Sequence, residues 1–476
     1  MSRVHFIRMV AVLLLASGLA AQTSNVITVT PRIITSPVIT DADDAAIWMH
    51  PTDPAKSLVI GTDKGSYPDG GLYAWNLDGT QKQRLTMSRP NNVDIRYGFK
   101  LGNKVIDLAA VTLRDHRQVR LFEIDPGTRK LTDVTTLDTT NVLNKMFKSP
   151  YGLTMHKRPD DGLLFIIVSS RHNDYKDQLW QIRLEDDGVG RVKGVFVREF
   201  GNFRNIVEGM VADDELGYLY ASEEKVGIHK YYASALKGNE ELTFFGMEDS
   251  LSSGNNEGMA VYRCANGTGY ILVSHPETNS IKVYRREGEK DAPHQHLLLT
   301  RIQDDSLRAG DGLEVSSRVF ATDFPHGVLV WHNQAARNFR LYGWEDIAKK
   351  LLTVCPESGG TNAVRSGSGG ALDNDGFVIL QQNAPNPFSL RAAENGANTE
   401  IRFTLKKAPQ GGVQLTIYNL LGEEVRRLLN TALAPGAHHL RWDARDEKGA
   451  PVSAGIYFYQ LRADKFTATR RMVVVR

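Results

Sequence analysis

The sequence predicts an all-β protein: a six-bladed β-propeller followed by a small β-sandwich. Three observations carry that prediction. An apolar strand, a short polar turn and a second strand ending near an aromatic residue recur six times, starting at Ser57, Ile106, Leu163, Gly217, Gly269 and Gly327. A shorter pattern, a polar residue followed by alternating apolar ones, precedes each copy at a similar phase. Beyond a Gly- and Ser-rich stretch, short alternating strands run from about residue 380 to the end.

The repeat starts lie about 50 to 60 residues apart, a period that favours propellers or solenoids. Their β-branched and aromatic runs, bounded by Gly, Asp and Asn, read as strands. Few stretches show a helical period. Six copies of a four-stranded unit predict six blades, since radial repetition leaves few open sheet edges. The preceding pattern is clearest at Tyr151-GLTM, Glu208-GMVA, Glu257-GMAV and Asp311-GLEV, and looser at Asp44-AAIW and Asn92-VDIR. It reads as the innermost strand of each blade. Antiparallel neighbours set the start of one strand beside the end of the next. Asp44, Tyr151, Glu208, Glu257 and Asp311 therefore share one end of the propeller with Lys64, Arg114, Arg171, Glu224 and His275, which follow the second strands.

At the N-terminus, Arg3 and Arg8 precede an apolar run over residues 9–19, followed by Ala20 and Ala21. This is the layout of a secretory signal peptide over residues 1–21. The run falls short of the roughly 20 residues that span a bilayer, which favours cleavage over anchoring. Export to the medium or the cell surface follows, and no later segment is long and apolar enough to span. Only Cys264 and Cys355 occur; they could pair, and the sequence leaves that open. Two thiols without a His-rich partner motif make a zinc site improbable. His50, His172 and His275 read as structural or rim residues. The formal net charge is +2, but residues 391–476 carry 14 Lys and Arg against 8 Asp and Glu, leaving the rest at −4. No basic-aromatic ribbon points to nucleic acid.

The predicted ring carries Asp43, Asp44, Glu208, Glu224, Glu257, Asp305 and Asp311. Gathered in one shallow site, these acids repel unless cations bind. Hard oxygen ligands favour Ca²⁺ or Mg²⁺ over zinc or copper, and several carboxylates on irregular turns suit Ca²⁺. Lys64, Arg114 and Arg171 interleave with them and suit phosphate oxygens; Tyr151 adds a hydroxyl donor. Cations and metals together would clamp a phosphoryl group, with a metal-activated water poised for in-line attack. Taken singly, each acid before Gly reads more readily as a turn residue, and each Arg or Lys as a surface charge. Their recurrence at two fixed phases is what points to a site.

At these residues the sequence resembles the β-propeller phytases, the alkaline calcium-dependent family. The resemblance runs from about Asp41 to Ala348, through Asp43-DAAIWMHP, Gly61-TDKGS, Asn91-NVDIRYGF, Tyr151-GL, Val207-EGMVADDELGYLYASEE, Asn256-EGMAVY, Gly310-DGLEV and Phe339-RLYGWEDIA. It implies a six-bladed propeller that hydrolyses phosphomonoesters of inositol hexakisphosphate at a calcium-lined face. Lys64, Arg114 and Tyr151 would grip the phosphate being cleaved, with Glu208 in the catalytic set. Asp43, Asp44, Glu208, Glu224, Glu257, Asp305 and Asp311 would hold several calcium ions. Arg171 replaces a family lysine at a neighbouring phosphate site. Four features depart from the pattern: Gly65 where a second lysine is common, Asn255 for an Asp, Ser274-HPETNS for a Ser-Gln-Gly turn, and the insertion Tyr67-PDGG. Alternatives are a phosphatase for another polyanionic ester and a non-catalytic ligand-binding propeller.

The expected divisions are a propeller over residues 25–351, a linker over 352–379 and a β-sandwich over 380–476. The last, with Asn383-APNPF, Ile417-YNLLGEEV, Ala454-GIYFYQL and Arg470-RMVVVR, resembles the C-terminal sorting domains of type IX secretion cargo; a carbohydrate-binding or adhesion sandwich is the alternative. The resemblances imply the type IX machinery and phytate as partners of a monomer.

Overall fold

The computed structural model describes residues 26–475 apart from 147–148, 172–177, 248–255, 266, 290–291, 321–322, 350, 356–370, 373–377, 381–382, 387, 391–397, 406, 410, 420–422 and 465. The expected signal peptide, most of the expected linker, His172 and Asn255 lie outside the described residues. The chain divides into two compact units, residues 1–358 and 359–476.

The first unit is a six-bladed propeller, as the repeat predicts. Its inner strands are Ala42–Trp48, Pro90–Leu101, Pro150–Lys157, Val207–Asp213, Met259–Arg263 and Leu313–Ser316. Each touches the next, and the last returns to the first, closing the ring. The second strands, Leu58–Asp63, Lys104–Leu113, Leu164–Ser170, Tyr218–Glu223, Gly269–His275 and Val328–Asn333, pair antiparallel with them.

The apolar core is divided among the interfaces between blades. Trp48 and Ile60 of blade 1 pack with Val93 and Ala109 of blade 2; Leu108 and Ala110, whose side chains leave the opposite face of blade 2, pack with Met155 and Ile166 of blade 3. Similar clusters join the remaining pairs, the last bringing Phe339 of blade 6 onto Trp75 of blade 1. Because both faces of each second strand are buried, runs such as 163–168 are continuously apolar rather than alternating.

Two contributions to closure come from the N-terminus. Ile33–Ile34 forms the outermost strand of blade 6, antiparallel to Asn338–Gly343. Val26–Thr28 adds a fifth strand to blade 5, parallel to Leu298–Gln303. Both cover sheet edges that would otherwise expose unpaired backbone groups. A disulfide joins Cys264, just after the inner strand of blade 5, to Cys355 beyond the short helix Trp344–Ala348. It fastens the chain that leaves the propeller to a neighbouring blade, and Trp344 stacks on Tyr262 at 3.8 Å beside it.

The second unit is a β-sandwich. One sheet holds Val378–Leu380, Thr399–Leu405 and Gly436–Trp442. The other orders Phe388–Ser389, Phe466–Val475, Gly455–Ala463, Val413–Tyr418 and Glu424–Thr431. Phe403, Leu415, Trp442, Tyr459 and Met472 fill the space between them. No helix among the described residues is long and apolar enough to cross a membrane.

Candidate active site

The site grows from a device repeated in the inner strands. Register shifts where the inner strand opens in blades 1 to 4, between Ala42 and Ala45, Pro90 and Val93, Pro150 and Leu153, and Val207 and Met210. Such bulges bend a strand and re-aim its side chains. The displaced residues are Asp43 and Asp44, Asn91 and Asn92, Tyr151 and Gly152, and Glu208 and Gly209.

In blades 1 to 4, a hydroxyl near the end of the second strand ties neighbouring inner strands together. Thr62 Oγ1 accepts from the Asp44 amide and donates to the Asn91 carbonyl of the next blade at 2.6 Å. Thr112 accepts from the Asn92 amide and donates to the Tyr151 carbonyl at 2.8 Å. Ser169 does the same between Gly152 and Val207, and Ser222 donates to Asn256. Each hydroxyl lies two residues before Lys64, Arg114, Arg171 or Glu224, so the motif that ties the blades also sets the charged side chains at the rim.

The glycine of the inner-strand pattern does related work. A Cβ on Gly152, Gly209, Gly258 or Gly312 would run into the backbone carbonyl of Glu208, Glu257, Asp311 or Asp43 on the following blade. Only glycine permits this approach. Glu208, Glu257 and Asp311 are drawn into a ring because the residue after each has no side chain.

At the mouth, Lys64 Nζ lies 2.7 Å from Asp43, 3.7 Å from Asp311 and 3.8 Å from Asp41. Burial disfavours the Lys64 ammonium, but Asp43, Asp311 and Asp41 outweigh it and hold its pKa above the ordinary lysine range. Tyr151 donates from its hydroxyl to Glu208 Oε2 at 2.8 Å and accepts from Arg171 Nη1 at 2.9 Å. Arg114 and Arg171 both lie over the Tyr151 ring, at 5.4 and 4.8 Å from its centroid. Asn91 Nδ2 donates to Glu208 Oε1 at 3.0 Å, so both oxygens of Glu208 are oriented.

The acids sit uneasily together. Burial, then Asp43 and Glu257, raise the pKa of Glu208. Burial, then Glu257 and Asp43, raise that of Asp311, which shares a hydrogen bond with Glu257. Two carboxyls bonded to each other require a proton or a cation between them. Asp43 Oδ2 is buried without a hydrogen-bond partner. Glu224, half-buried, has its pKa raised by burial and by Glu257. Among the described residues, no three His, Cys, Asp or Glu side chains converge as a ready-made cage. The donors nevertheless fit a hard divalent cation: they are carboxylate oxygens, mutually repelling, and one of them is buried and unpartnered.

Two expected ligands are set apart. Asp44 reaches the ring, but its Oδ2 accepts from Asn92 Nδ2 and the Val93 amide, tying blade 1 to blade 2. Asp305 is exposed and accepts from Gln303 Nε2; no described contact joins it to the cluster. His50 is structural: its Nδ1 accepts from the Thr52 and Asp53 amides and its Nε2 donates to the Pro126 carbonyl. His275 is buried, with Nδ1 beside Thr278 Oγ1.

Across residues 4–357 the chain matches the family model described as Phytase. The chain belongs to the phytase family. This phytase-family chain is also similar to a 3-phytase of Bacillus subtilis (strain 168), 31% identical over an aligned length of 336 residues, with 68% of this chain and 85% of that one covered. Residues 389–466 match the FlgD Ig-like domain family. Among solved structures, PorZ, a surface component of the type IX secretion system of Porphyromonas gingivalis, aligns with TM-score 0.37 and 17% identity over 90% of this chain and 51% of that one. The chain thus spans about half of that structure. Kuenenia stuttgartiensis hydrazine synthase aligns with TM-score 0.39 and 11% identity over 63% of this chain and 83% of that one. Likenesses this distant carry no argument about function.

In this phytase-family site, two contributors are absent from the set expected from sequence. Asn91 orients Glu208, and Asp41 shares Lys64. Asn91 lies inside the Asn91-NVDIRYGF stretch, but a neutral amide gives no charge signal. Asp41 lies in a loop held by Asp63, whose carboxylate accepts from the amides of Ile39, Thr40, Asp41 and Gly65.

Proposed function

We propose that this protein hydrolyses phosphomonoester bonds of phytate, myo-inositol hexakisphosphate, in a calcium-dependent reaction of the 3-phytase type that releases inorganic phosphate and lower inositol phosphates. The observation that carries the proposal is the Tyr151–Glu208 pair, with Arg114 and Arg171 on the Tyr151 ring and Lys64 among the acids. Lys64, Arg114 and Tyr151 bind the phosphoryl oxygens. Arg114 brings a guanidinium to the site with no carboxylate in described contact, its pKa lowered by burial and then by Arg171 and Arg89. An anion there relieves that repulsion. Tyr151 points its hydroxyl proton at Glu208 in the free site and can turn it to a phosphoryl oxygen.

Asp43, Glu208, Glu224, Glu257 and Asp311 would hold calcium, with Asp44 and Asp305 as further expected donors. Such ions supply neutralisation of phosphate charge and acidification of a water. Glu208, oriented by Asn91 and Tyr151, can accept a proton at Oε1 or Oε2.

In the same proposal residues 1–21 direct export and are removed, residues 25–351 are the catalytic domain, 352–379 a linker and 380–476 a sorting domain read by the type IX machinery. The protein then acts as a monomer outside the cell or on its surface. The Ig-like family match and the motifs from Asn383 onward support the sorting role.

Phosphate release from phytate at neutral to mildly alkaline pH is expected with calcium and to fall to background with EDTA, returning when calcium is restored. Turnover that ignores EDTA would overturn the metal assignment; tight binding of phytate without turnover would favour a non-catalytic propeller. For the tail, a chain ending at residue 379 is expected to stay inside the outer membrane of a type IX-competent host. Normal export and processing of that truncation would refute the sorting role.

A further inference from the structure

We propose that His332 is a positioning residue of the cation site, holding Asp311 by its main chain and supplying a hydrogen-bond donor to the Asp43 carboxylate. The proposal rests on the calcium reading above.

One position recurs in all six blades. The penultimate residue of the second strand is Thr62, Thr112, Ser169, Ser222, Ser274 and, in blade 6, His332. Thr62 and Thr112 show what the position does. Each accepts from an inner-strand amide of its own blade and donates to a carbonyl where the next blade opens. Ser274 Oγ likewise accepts from the Gly258 amide at 2.8 Å. His332 keeps the first half of this pattern: its Nδ1 accepts from the Asp311 amide at 3.1 Å, while its own amide donates to the Gly312 carbonyl at 3.0 Å.

The second half differs. Because Nδ1 accepts, the single proton of the neutral ring is assigned to Nε2. Burial, and then Lys64, disfavour the imidazolium. His332 is fully buried, and Nε2 has no hydrogen-bond partner among the described residues. An unpaired buried donor is costly, and such atoms mark functional groups or the neighbourhood of an ion.

Strand alternation shows which way the ring faces, since successive side chains leave opposite faces. His332 shares a face with Val328 and Val330, which pack with Ala42, Ala45 and Val59 of blade 1. Leu329 and Trp331, on the other face, pack with blade 5. The His332 ring lies 6.0 Å from that of Phe339, which in turn meets Trp75 of blade 1. His332 is thus turned to the seam where the propeller closes. Across that seam blade 1 opens with the bulge at Asp43, whose carbonyl accepts from the Gly312 amide at 3.2 Å. Asp43 Oδ1 is taken by Lys64, and Oδ2 is buried with no hydrogen-bond partner among the described residues. A donor and an acceptor, each unpaired, therefore stand on the two sides of one seam. Carboxylates that hold a metal are themselves oriented by hydrogen bonds from neighbouring groups. The hydroxyls of the other blades end at a main-chain carbonyl; the longer imidazole extends to a side chain.

The test titrates calcium into EDTA-stripped wild type, His332→Leu and His332→Gln, and follows phosphate release from phytate as calcium is raised. Leucine keeps apolar bulk and removes both nitrogens. In His332→Leu calorimetric calcium affinity is expected to fall about tenfold to a hundredfold, the scale for losing a group that orients a metal-binding carboxylate. The calcium concentration for half-maximal release should rise in step, while KM for phytate at saturating calcium stays within about twofold. A merely structural loss would depress release at every calcium concentration. Glutamine carries an acceptor and a donor on one amide, so His332→Gln should stay within about threefold of the wild type. His332→Asn, which keeps an acceptor but shortens the donor's reach, should lie between them and serves if the leucine variant does not fold. On an Asp43→Ala background, adding His332→Leu should cost clearly less calcium affinity than it does alone, because coupled residues are not additive. Unchanged calcium affinity in His332→Leu, a glutamine variant as weak as the leucine one, or fully additive losses would overturn the proposal. A wild type that takes up no calcium would overturn the calcium reading itself, and this inference with it.

Discussion

Lys64→Ala is expected to lower kcat/KM on phytate by about a thousandfold, mainly through kcat. Lys64 is the cation set among the acids, with Asp43 at 2.7 Å and Asp41 and Asp311 within 4 Å. Removing it takes a charge from the phosphoryl oxygens, where loss of a single pre-oriented donor costs about a hundredfold to a thousandfold. It also leaves Asp43 and Asp311, both largely buried, without their ammonium partner. Arginine should restore little, because a wider planar fork does not fit a space shaped around a point charge. Steady-state kinetics of the purified variant checks this, with circular dichroism to show that it folds. A rate within threefold of wild type would remove Lys64 from the cleavage site.

Gly209→Ala is expected to be nearly as damaging, although the residue carries no functional group. Its Cβ would sit deep inside the radius of the Glu257 carbonyl oxygen, and close to that carbon and to Met259. The obstacle is backbone, so no rotamer change relieves it. Blades 4 and 5 must part at the point where Glu208 and Glu257 meet. A destabilisation of about 4 kcal/mol is the scale for severe overpacking of this kind, and a displacement near 1 Å costs roughly a hundredfold in rate. Urea unfolding and phosphate release measured on the same preparation separate the two effects. Gly102→Ala is the control: its φ is positive, but a Cβ there meets nothing within 4 Å. It should cost about 1 kcal/mol and leave the site intact. Equal behaviour of the two variants would refute the close-approach role of Gly209.

The contrast between Gly209 and Gly102 shows what kind of information the sequence held. Both are single letters in a β-rich chain. The spacing of Gly152, Gly209, Gly258 and Gly312 behind Tyr151, Glu208, Glu257 and Asp311 marked these positions as equivalent. It did not say that each glycine meets the next blade, because that contact joins residues about 50 apart for the first three and, for Gly312 and Asp43, across almost the whole propeller. The hydroxyls of Thr62, Thr112, Ser169 and Ser222 were legible in the same limited way. They recur two residues before a charged side chain, but their role appears only when two blades are seen together.

The placement of Asp44 and Asp305 marks another limit. Both are acids at the right end of the propeller. One spends an oxygen on the seam between blades 1 and 2, and the other faces solvent. Charge and phase do not distinguish a carboxylate aimed into the mouth from one turned along a seam. Conversely, Asn91 is central, but as a neutral amide it carried no electrostatic signal.

By itself, the sequence determined the number of blades, the end at which acids and bases gather, and the separate sandwich at the C-terminus. These follow from period and alternation, which are local properties of strands. Closure, the disulfide and the composition of the site were decided only by tertiary structure. Val26–Thr28 and Ile33–Ile34 are too short to show a period, and their partners lie across almost the whole propeller. Cys264 and Cys355 meet because the chain leaving blade 6 returns to blade 5. Glu208 is oriented by residues from two other blades, Asn91 of blade 2 and Tyr151 of blade 3. The site is made of contacts between blades, and those exist only once the ring has closed.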